Sequence, residues 1–230
     1  WSLASGLSRI NYQYNNKYLL TASFRADGSS RFGAGNKWGF FPSVALGYRL
    51  SEENFIKNLK VVDDLKIRGS YGLTGNQEIG AYQSLARLAN DLVYIFGNSL
   101  VSGSRQTSLT NSSLRWEKAA QFDVGLDLSF LNNRFQFVFD YYEKKTQDLL
   151  FTINLPGTSG YSTALYNTGA VENKGIELSL NAGILDKAFK WDPAINYARN
   201  RNKITSLGRN ASTSLFVGYP PGVGLRYVYE

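Results

Sequence analysis

From Gln121 to Tyr142 the chain alternates apolar and polar residues on either side of a short polar break. Phe122, Val124, Leu126, Leu128 and Phe130 fall on one face; Gln121, Asp123, Gly125, Asp127 and Ser129 fall on the other. That is the period-two signature of a strand lying between two different solvents. Asn132-Asn133 predicts a two-residue turn with positive φ, which Asn tolerates. The turn sets Phe130 against Phe135, Leu128 against Phe137, Leu126 against Phe139 and Val124 against Tyr141, so the two apolar faces coincide. A slip of one residue would put Phe137 and Phe139 on the wet face, which specifies the register.

The same period recurs along the chain. Ile10, Tyr12 and Tyr14 match Tyr18, Leu20, Ala22 and Phe24 only if residues 15–17 form a three-residue loop. The Gly-rich stretch Asp27–Gly39 lacks the Lys-Ser/Thr that a phosphate-binding loop needs, because Ala34-Gly35 follows Gly33. It reads as a long hairpin loop. Val44, Leu46 and Tyr48 mark a third strand with Pro42 at its start, where a missing donor is tolerated. Ser51 to Leu59 carries a capping signature and one apolar stripe, predicting a short helical connection. Leu65, Ile67, Gly69, Tyr71 and Leu73 give a fourth strand, and residues 75–115 then read as a long irregular loop.

After the Gln121–Tyr142 hairpin comes a second long loop, residues 146–168, and then a strand through Ile176, Leu178, Leu180 and Ala182. A tight turn near Asp186-Lys187 joins it to a strand through Phe189, Trp191, Ile195 and Tyr197, pairing Ile184 with Phe189 and Leu178 with Ile195. Pro193 fits inside that strand only at a bulge or where a donor is locally unpaired. Residues 203–230 read as a further polar loop, with another strand starting near Leu225 to Tyr229.

The connections alternate between short and long, which in an up-and-down sheet puts every short one on the same rim. Aromatics gather at the short turns: Tyr12, Tyr14 and Tyr18; Phe130 and Phe135; Phe189 and Trp191. Short turns on one side, long loops on the other and an aromatic girdle point to an all-β, antiparallel up-and-down transmembrane β-barrel. A soluble sandwich alternates too, but its strands average about 5–6 residues, against about 9–11 for a membrane strand. Gln121–Phe130 and Arg134–Tyr142 suit the longer class.

Composition adds exclusions. The chain has 230 residues, 43% of them hydrophobic, and no apolar run long enough for a transmembrane helix. It contains no Cys and no His, which removes disulfides, the usual zinc, haem and iron–sulfur ligand sets and the common catalytic triads. No cofactor is expected. The net charge of +7 is dispersed among nearby acids, unlike a nucleic-acid footprint. With Trp1 first and no Met anywhere, the chain reads as an internal piece of a longer polypeptide.

At Asp27-Gly28-Ser29-Ser30-Arg31-Phe32, within Tyr18–Ser43, the chain closely resembles the SusC/RagA family of TonB-dependent outer-membrane transporters of Bacteroidota. Further resemblance lies in Leu65–Gln77, Leu114–Lys118, Asp140–Thr146 and Asn167–Glu177, in the family's order. The resemblance implies a barrel of about 22 strands with an N-terminal plug, to which residues 1–230 contribute about eight strands, short periplasmic turns and long extracellular loops. It implies a SusD-like surface lipoprotein as lid, energy from the TonB complex, and import of oligosaccharides or peptides. It also implies contact with membrane lipid and lipopolysaccharide, without the plug, the TonB box or the closing strand in this piece.

On that reading the solute-facing candidates on the lumen wall are Arg25, Arg68, Asp123, Asp127 and Asp140, with Asp27 and Arg31 in the first long loop. Ordinary hydrated lumen charges are the plainer account. The loop aromatics Tyr82, Tyr94, Trp116 and Tyr161 are candidates for stacking on sugar rings or touching a lid, or for packing among the loops. Two rival classes remain. A passive porin would share the wall. A glycan-acting enzyme in the barrel mouth would need paired carboxylates, but Asp123 and Asp127 lie about 13 Å apart along one strand, and only Asp140, opposite Gly125, allows a closer pair.

Overall fold

The computed structural model describes residues 1–186 and 189–207. In chain order its strands are β1 (Leu3–Tyr14), β2 (Tyr18–Ser29), β3 (Trp38–Arg49), β4 (Val62–Asn76), β5 (Leu88–Phe96), β6 (Ser99–Gln106) and β7 (Glu117–Phe130). They continue as β8 (Phe135–Gln147), β9 (Leu150–Asn154), β10 (Thr163–Asn167), β11 (Ala170–Ala182), β12 (Leu185–Asp186), β13 (Lys190–Trp191) and β14 (Ala194–Ser206). One short helix, α1 (Asn54–Lys57), lies between β3 and β4.

Eight long strands form a single antiparallel sheet in the order β1-β2-β3-β4-β7-β8-β11-β14. The hairpins β5–β6, β9–β10 and β12–β13 sit in its connections. This is a stretch of up-and-down barrel wall. The ladders carry one cross-strand row through all eight strands: Tyr14, Tyr18, Tyr48, Ile67, Leu126, Phe139, Leu178 and Tyr197. Every member is aromatic or aliphatic. The adjacent row on the other face reads Gln13, Leu19, Gly47, Arg68, Gly125, Asp140, Glu177 and Ala198. One face suits lipid and the other suits water, as alternation requires of a membrane barrel.

The two hairpins expected from periodicity are present in register: Tyr14 pairs with Tyr18, and Phe130 with Phe135. At the second turn Leu131, Asn132 and Asn133 all have positive φ. The ladder stops at Phe130 because the Leu131 N–H turns sideways to donate to the Val61 carbonyl. Stacked rings mark this rim, with Tyr18 and Tyr48 centroids 5.1 Å apart and Phe130 and Phe135 5.2 Å apart. Neighbouring turns are also bonded to one another. Lys17 Nζ is 3.0 Å from Glu53 Oε2, the Asn133 N–H donates to Asp63 at 2.8 Å, and Arg134 donates to the carbonyls of Gly183 and Ile184.

Several expectations are corrected. Pro42 lies inside β3, not at its start; the β3–β4 ladder ends at the next residue, Ser43, so the missing N–H falls where pairing with β4 has ceased. The Asp27–Gly39 loop is shorter than expected, since Ser29 and Trp38 belong to β2 and β3. Ser51 does not cap a helix: its hydroxyl donates to Asp64, and α1 is a single turn. Residues 75–115 and 146–168 are not irregular throughout, because they fold into β5–β6 and β9–β10.

The β11–β14 register is also offset, with Leu180 rather than Leu178 facing Ile195. Between Asn181↔Ala194 and Leu185↔Trp191, Ala182, Gly183 and Ile184 face only Asp192 and Pro193. This is the bulge that Pro193 implied, and it lengthens the hairpin. Residues 203–206 continue β14. The expected turn residue Lys187 and the strand near Leu225 to Tyr229 lie outside the described residues.

The buried core is small and sits at the long-loop end of the sheet. Phe32, Phe41, Ile79, Leu114 and Trp116 pack together there, with Leu73, Leu150 and Leu165 around them. They fill the space where β3 parts from β4 above Ser43 and tie the bases of three connections, β2–β3, β4–β7 and β8–β11, into one unit.

Candidate functional site

The wet face of β4, β7 and β8 carries a linked set of charges. Lys66 and Arg68 share this face by strand alternation, and Asp127 lies opposite Lys66. Lys66 Nζ is 3.0 Å from Asp127 Oδ2, and Arg68 Nε is 3.1 Å from Asp127 Oδ1. Arg68 Nη2 then donates to Asp140 Oδ2 at 2.8 Å, two strands away. It passes over Gly125, the residue between them in the row. A Cβ on Gly125 would come within 2.6 Å of both Arg68 Cζ and Asp140 Oδ1. Asp123 accepts from the Ser70 hydroxyl at 3.1 Å and from Gln121 Nε2 at 2.9 Å. These side chains are about one-third exposed, so the cluster is a hydrated wall rather than a buried pair.

Closer to the long loops, Arg25 Nε bonds both oxygens of Asp27 at 2.8 and 2.7 Å. Asp27 is 5% exposed, whereas half of the Arg25 side chain remains open. Arg25, Asp27, Ser70, Gln77, Trp116 and Asp123 contribute to the lining of one concavity of about 680 Å³. The structure thus brings Arg25, Asp27, Asp123 and Trp116 to the same hollow, and places Arg68, Asp127 and Asp140 in a separate cluster along the sheet.

Of the loop candidates, Trp116 takes the packing role rather than the stacking one. Its ring is 4% exposed, wedged against Phe32 and Phe41 with centroids 5.5 Å away, and its Nε1–H donates to the Lys37 carbonyl. It is a packing residue, and no sugar ring can lie flat on it. Arg31 stacks over the Trp1 ring at 4.1 Å. Tyr82 is 69% exposed at a positive φ of 64°, and Tyr94 is open on β5, while Tyr161 is half-buried. The exposed hairpin β5–β6 presents Ile95, Phe96 and Leu100 to solvent, and Arg105 holds the Asp91 carboxyl at its base below the usual carboxylate range through a bidentate hydrogen bond.

The expected set omitted Lys66, Ser70, Gln121 and Gly125. Lys66 was readable, since it precedes Arg68 by one full strand period. Gly125 was not, because its role depends on which residues lie beside it in neighbouring strands. No group of carboxylates suited to a metal occurs among the described residues. Asp127 and Asp140 are both held by one guanidinium, and Glu177 lies opposite Asp140 on the same face. A glycosidase pair instead needs one carboxyl kept protonated, which an adjoining guanidinium opposes.

Residues 6–230 match the sequence profile of the TonB dependent receptor-like β-barrel. The chain is 42% identical over 222 residues to TonB-dependent receptor P3 of Formosa agariphila, covering 96% of this chain and 22% of that protein. It is equally 42% identical over 222 residues to TonB-dependent receptor SusC of Bacteroides thetaiotaomicron, covering 94% of this chain and 22% of that one. The RagAB peptide importer in its closed-closed state superposes with a TM-score of 0.84 at 32% identity, over 95% of this chain and 25% of the importer chain. The siderophore receptor PirA of Pseudomonas aeruginosa shares the fold alone, with a TM-score of 0.55 at 14% identity over 88% of this chain and 36% of that one. The chain therefore spans about a fifth of the length of the relatives it matches. A sheet with one lipid-facing and one wet face, a girdled short-turn rim and these matches have one explanation: the chain belongs to the SusC-like TonB-dependent receptors and forms part of their outer-membrane β-barrel.

Proposed function

We propose that the intact protein imports oligosaccharides or peptides across the outer membrane, energised by the TonB complex and covered by a SusD-like surface lipoprotein. Residues 1–230 serve as part of the barrel domain, as lumen wall and extracellular loops, and the plug domain and barrel ends lie in other parts of the protein. The observation that carries this reading is the paired, hydrated charge cluster of Lys66, Arg68, Asp127 and Asp140 on the wet face of a wall whose other face is apolar. Such a face lines a solvent-filled passage rather than a packed core. The likeness to the RagAB peptide importer favours a peptide cargo, while the wall alone suits an oligosaccharide equally.

Under this reading the segment is not an enzyme. Asp127 and Asp140 share a guanidinium, and Asp123 accepts from Ser70 and Gln121, an arrangement of paired wall charges rather than of an isolated catalytic pair. Arg25, Asp123 and the exposed Tyr82 and Tyr94 are the residues best placed to meet solute or lid. Growth on defined oligosaccharides or peptides as sole nutrient, in strains with and without TonB, tests the proposal. Loss of uptake on deleting the gene, and again on deleting TonB, supports active import. Uptake that survives without TonB would establish the passive porin instead.

A further inference from the structure

We propose that Arg25 anchors a carboxylate of the transported cargo through its two Nη groups, in the hollow at the long-loop end of the lumen wall. The inference rests on the import reading and names a chemical feature of the cargo. The same wall contains the completed arrangement. Arg68 gives its Nε to Asp127 at 3.1 Å, and its outer pair, Nη1 and Nη2, to the two oxygens of Asp140, each at 2.8 Å. Arg25 shows only the first half: its Nε–H is shared by both oxygens of Asp27 at 2.8 and 2.7 Å, and its Nη groups bond nothing among the described residues. The difference shows in exposure, 54% of the Arg25 side chain against 35% for Arg68. One edge of the fork is filled and the other is open.

Neighbouring strands do not complete the fork. Asp27 shares the wet face with Arg25 by alternation and is itself buried, so the carboxylate that holds Nε is anchored in the wall. Arg68 reaches across a strand because Gly125 lies beside it, whereas Arg25 has Leu7 on one side and Phe41 on the other. Those side chains stand in the path, and Arg25 cannot lie flat against the sheet to meet an acid two strands away. Asp123, which also lines the hollow, is three strands from Arg25, about 14 Å across the sheet, and accepts from Ser70 and Gln121. The open edge therefore faces the contents of the hollow.

The hollow has room for a sugar or a peptide residue. Its volume of about 680 Å³ falls within the ~300–1,000 Å³ usual for small-molecule sites. Small residues, among them Ser23, Ser43 and Gly72, line it between Arg25 and Asp123, and the Ser23 and Ser43 hydroxyls bond each other at 2.7 Å. Gln77 lines it too, and its Oε1 is buried with no donor among the described residues. A carboxylate takes two parallel N–H bonds from a guanidinium edge, and a neighbouring hydroxyl or N–H on the same cargo suits the Gln77 oxygen. A uronic acid and an acidic peptide residue share that chemistry. Because Asp27 already offsets the charge of Arg25, a singly charged carboxylate matches this edge better than a doubly charged phosphate.

The test uses the full-length protein with its lid lipoprotein in detergent, titrated with two matched pairs of probes. One pair is a Glu-containing pentapeptide amide and its Gln counterpart; the other is trigalacturonate and its methyl ester. In the arm that matches the cargo, the acidic probe is expected to bind about tenfold tighter than its neutral counterpart. The double variant Arg25→Gln/Asp27→Asn removes both charges and orphans neither, so it is expected to abolish that preference and leave the neutral affinity unchanged. Absence of an acidic preference in both arms would overturn the proposal; an acid of the plug domain already seated on Arg25 would give that result. A preference that survives in the double variant would overturn it as well. Should the double variant lose its heat-modifiable migration, Arg25→Lys decides: it keeps a cation for Asp27 but has no second edge, and an undiminished preference sinks the idea. Uptake with and without TonB is read separately. TonB-independent uptake strikes the import reading, whereas TonB-dependent uptake with no acidic preference in binding strikes only this one.

Discussion

Arg68 and Asp140 are joined across an intervening strand, Nη2 to Oδ2 at 2.8 Å, because the residue between them is Gly125. Strands lie about 4.8 Å apart, so the guanidinium must lie flat against the sheet to reach a carboxylate two strands away. Gly125→Ala puts a methyl in that path, within 2.6 Å of both partners. Asp127 still holds Arg68, so the expected stability loss is modest, about 0.5–1 kcal/mol in urea unfolding from vesicles. In an Asp140→Asn background the same substitution is expected to cost less. Equal costs in the two backgrounds would show that the bridge contributes nothing.

Trp116 is expected to be the most costly single truncation outside the barrel wall. It packs against Phe32 and Phe41 and bonds the Lys37 carbonyl, joining the β2–β3 loop to the start of β7. Trp116→Ala removes that packing and is expected to destabilise the loop core by about 3–5 kcal/mol. Trp116→Phe keeps most of the packing but orphans the carbonyl, at about 1–3 kcal/mol. Limited proteolysis is the check: cleavage within residues 75–115 should accelerate in Trp116→Ala, with the heat-modifiable barrel band retained.

What the sequence disclosed follows from how each feature is encoded. The apolar face of β7 and β8 was legible because period two is local, and the Phe130↔Phe135 register followed from a turn two residues long. The β11–β14 register was not, since the bulge opposite Asp192-Pro193 adds a residue that no periodicity announces. The charges of the site were readable as wet-face positions. Their partners were not: Arg68 finds Asp140 only through strand order, with β5 and β6 looped out between β4 and β7. For Trp116 stacking and packing stay equally open in the sequence, because nothing local shows that Phe32 and Phe41, distant in sequence, close over it.

The periplasmic rim is expected to loosen in acid. Glu53 accepts from the Tyr48 hydroxyl at 2.8 Å and from Lys17 Nζ at 3.0 Å, and these bonds, in that order, hold its carboxyl below the ordinary range. A depressed carboxyl stabilises the fold fully above its unfolded pKa of about 4.3, and the contribution is lost as pH falls through the lower folded value. The window is therefore below about pH 4. Unfolding midpoints measured at pH 7 and pH 3 should converge in Glu53→Gln relative to wild type. An identical pH response in the two proteins would rule out this contribution.

The β5–β6 hairpin separates stability from function. Ile95, Phe96 and Leu100 are each about three-quarters exposed, so Phe96→Asp is expected to change unfolding by less than about 0.5 kcal/mol. An exposed apolar tip on the extracellular side nevertheless has the composition of an interface core, where a single aromatic can carry much of the binding energy. If the lid lipoprotein rests on this hairpin, Phe96→Asp should reduce its co-purification with the barrel by at least tenfold, about 1.4 kcal/mol, and lower uptake in parallel. A lid retained at wild-type levels by a folded Phe96→Asp barrel would move the contact elsewhere, with the exposed Tyr82 as the next residue to substitute. The wall residues behave oppositely. On the proposed import function, Asp123→Asn is expected to leave lid co-purification unchanged and to alter instead the uptake rate of charged cargo, through the hollow that Asp123 shares with Arg25.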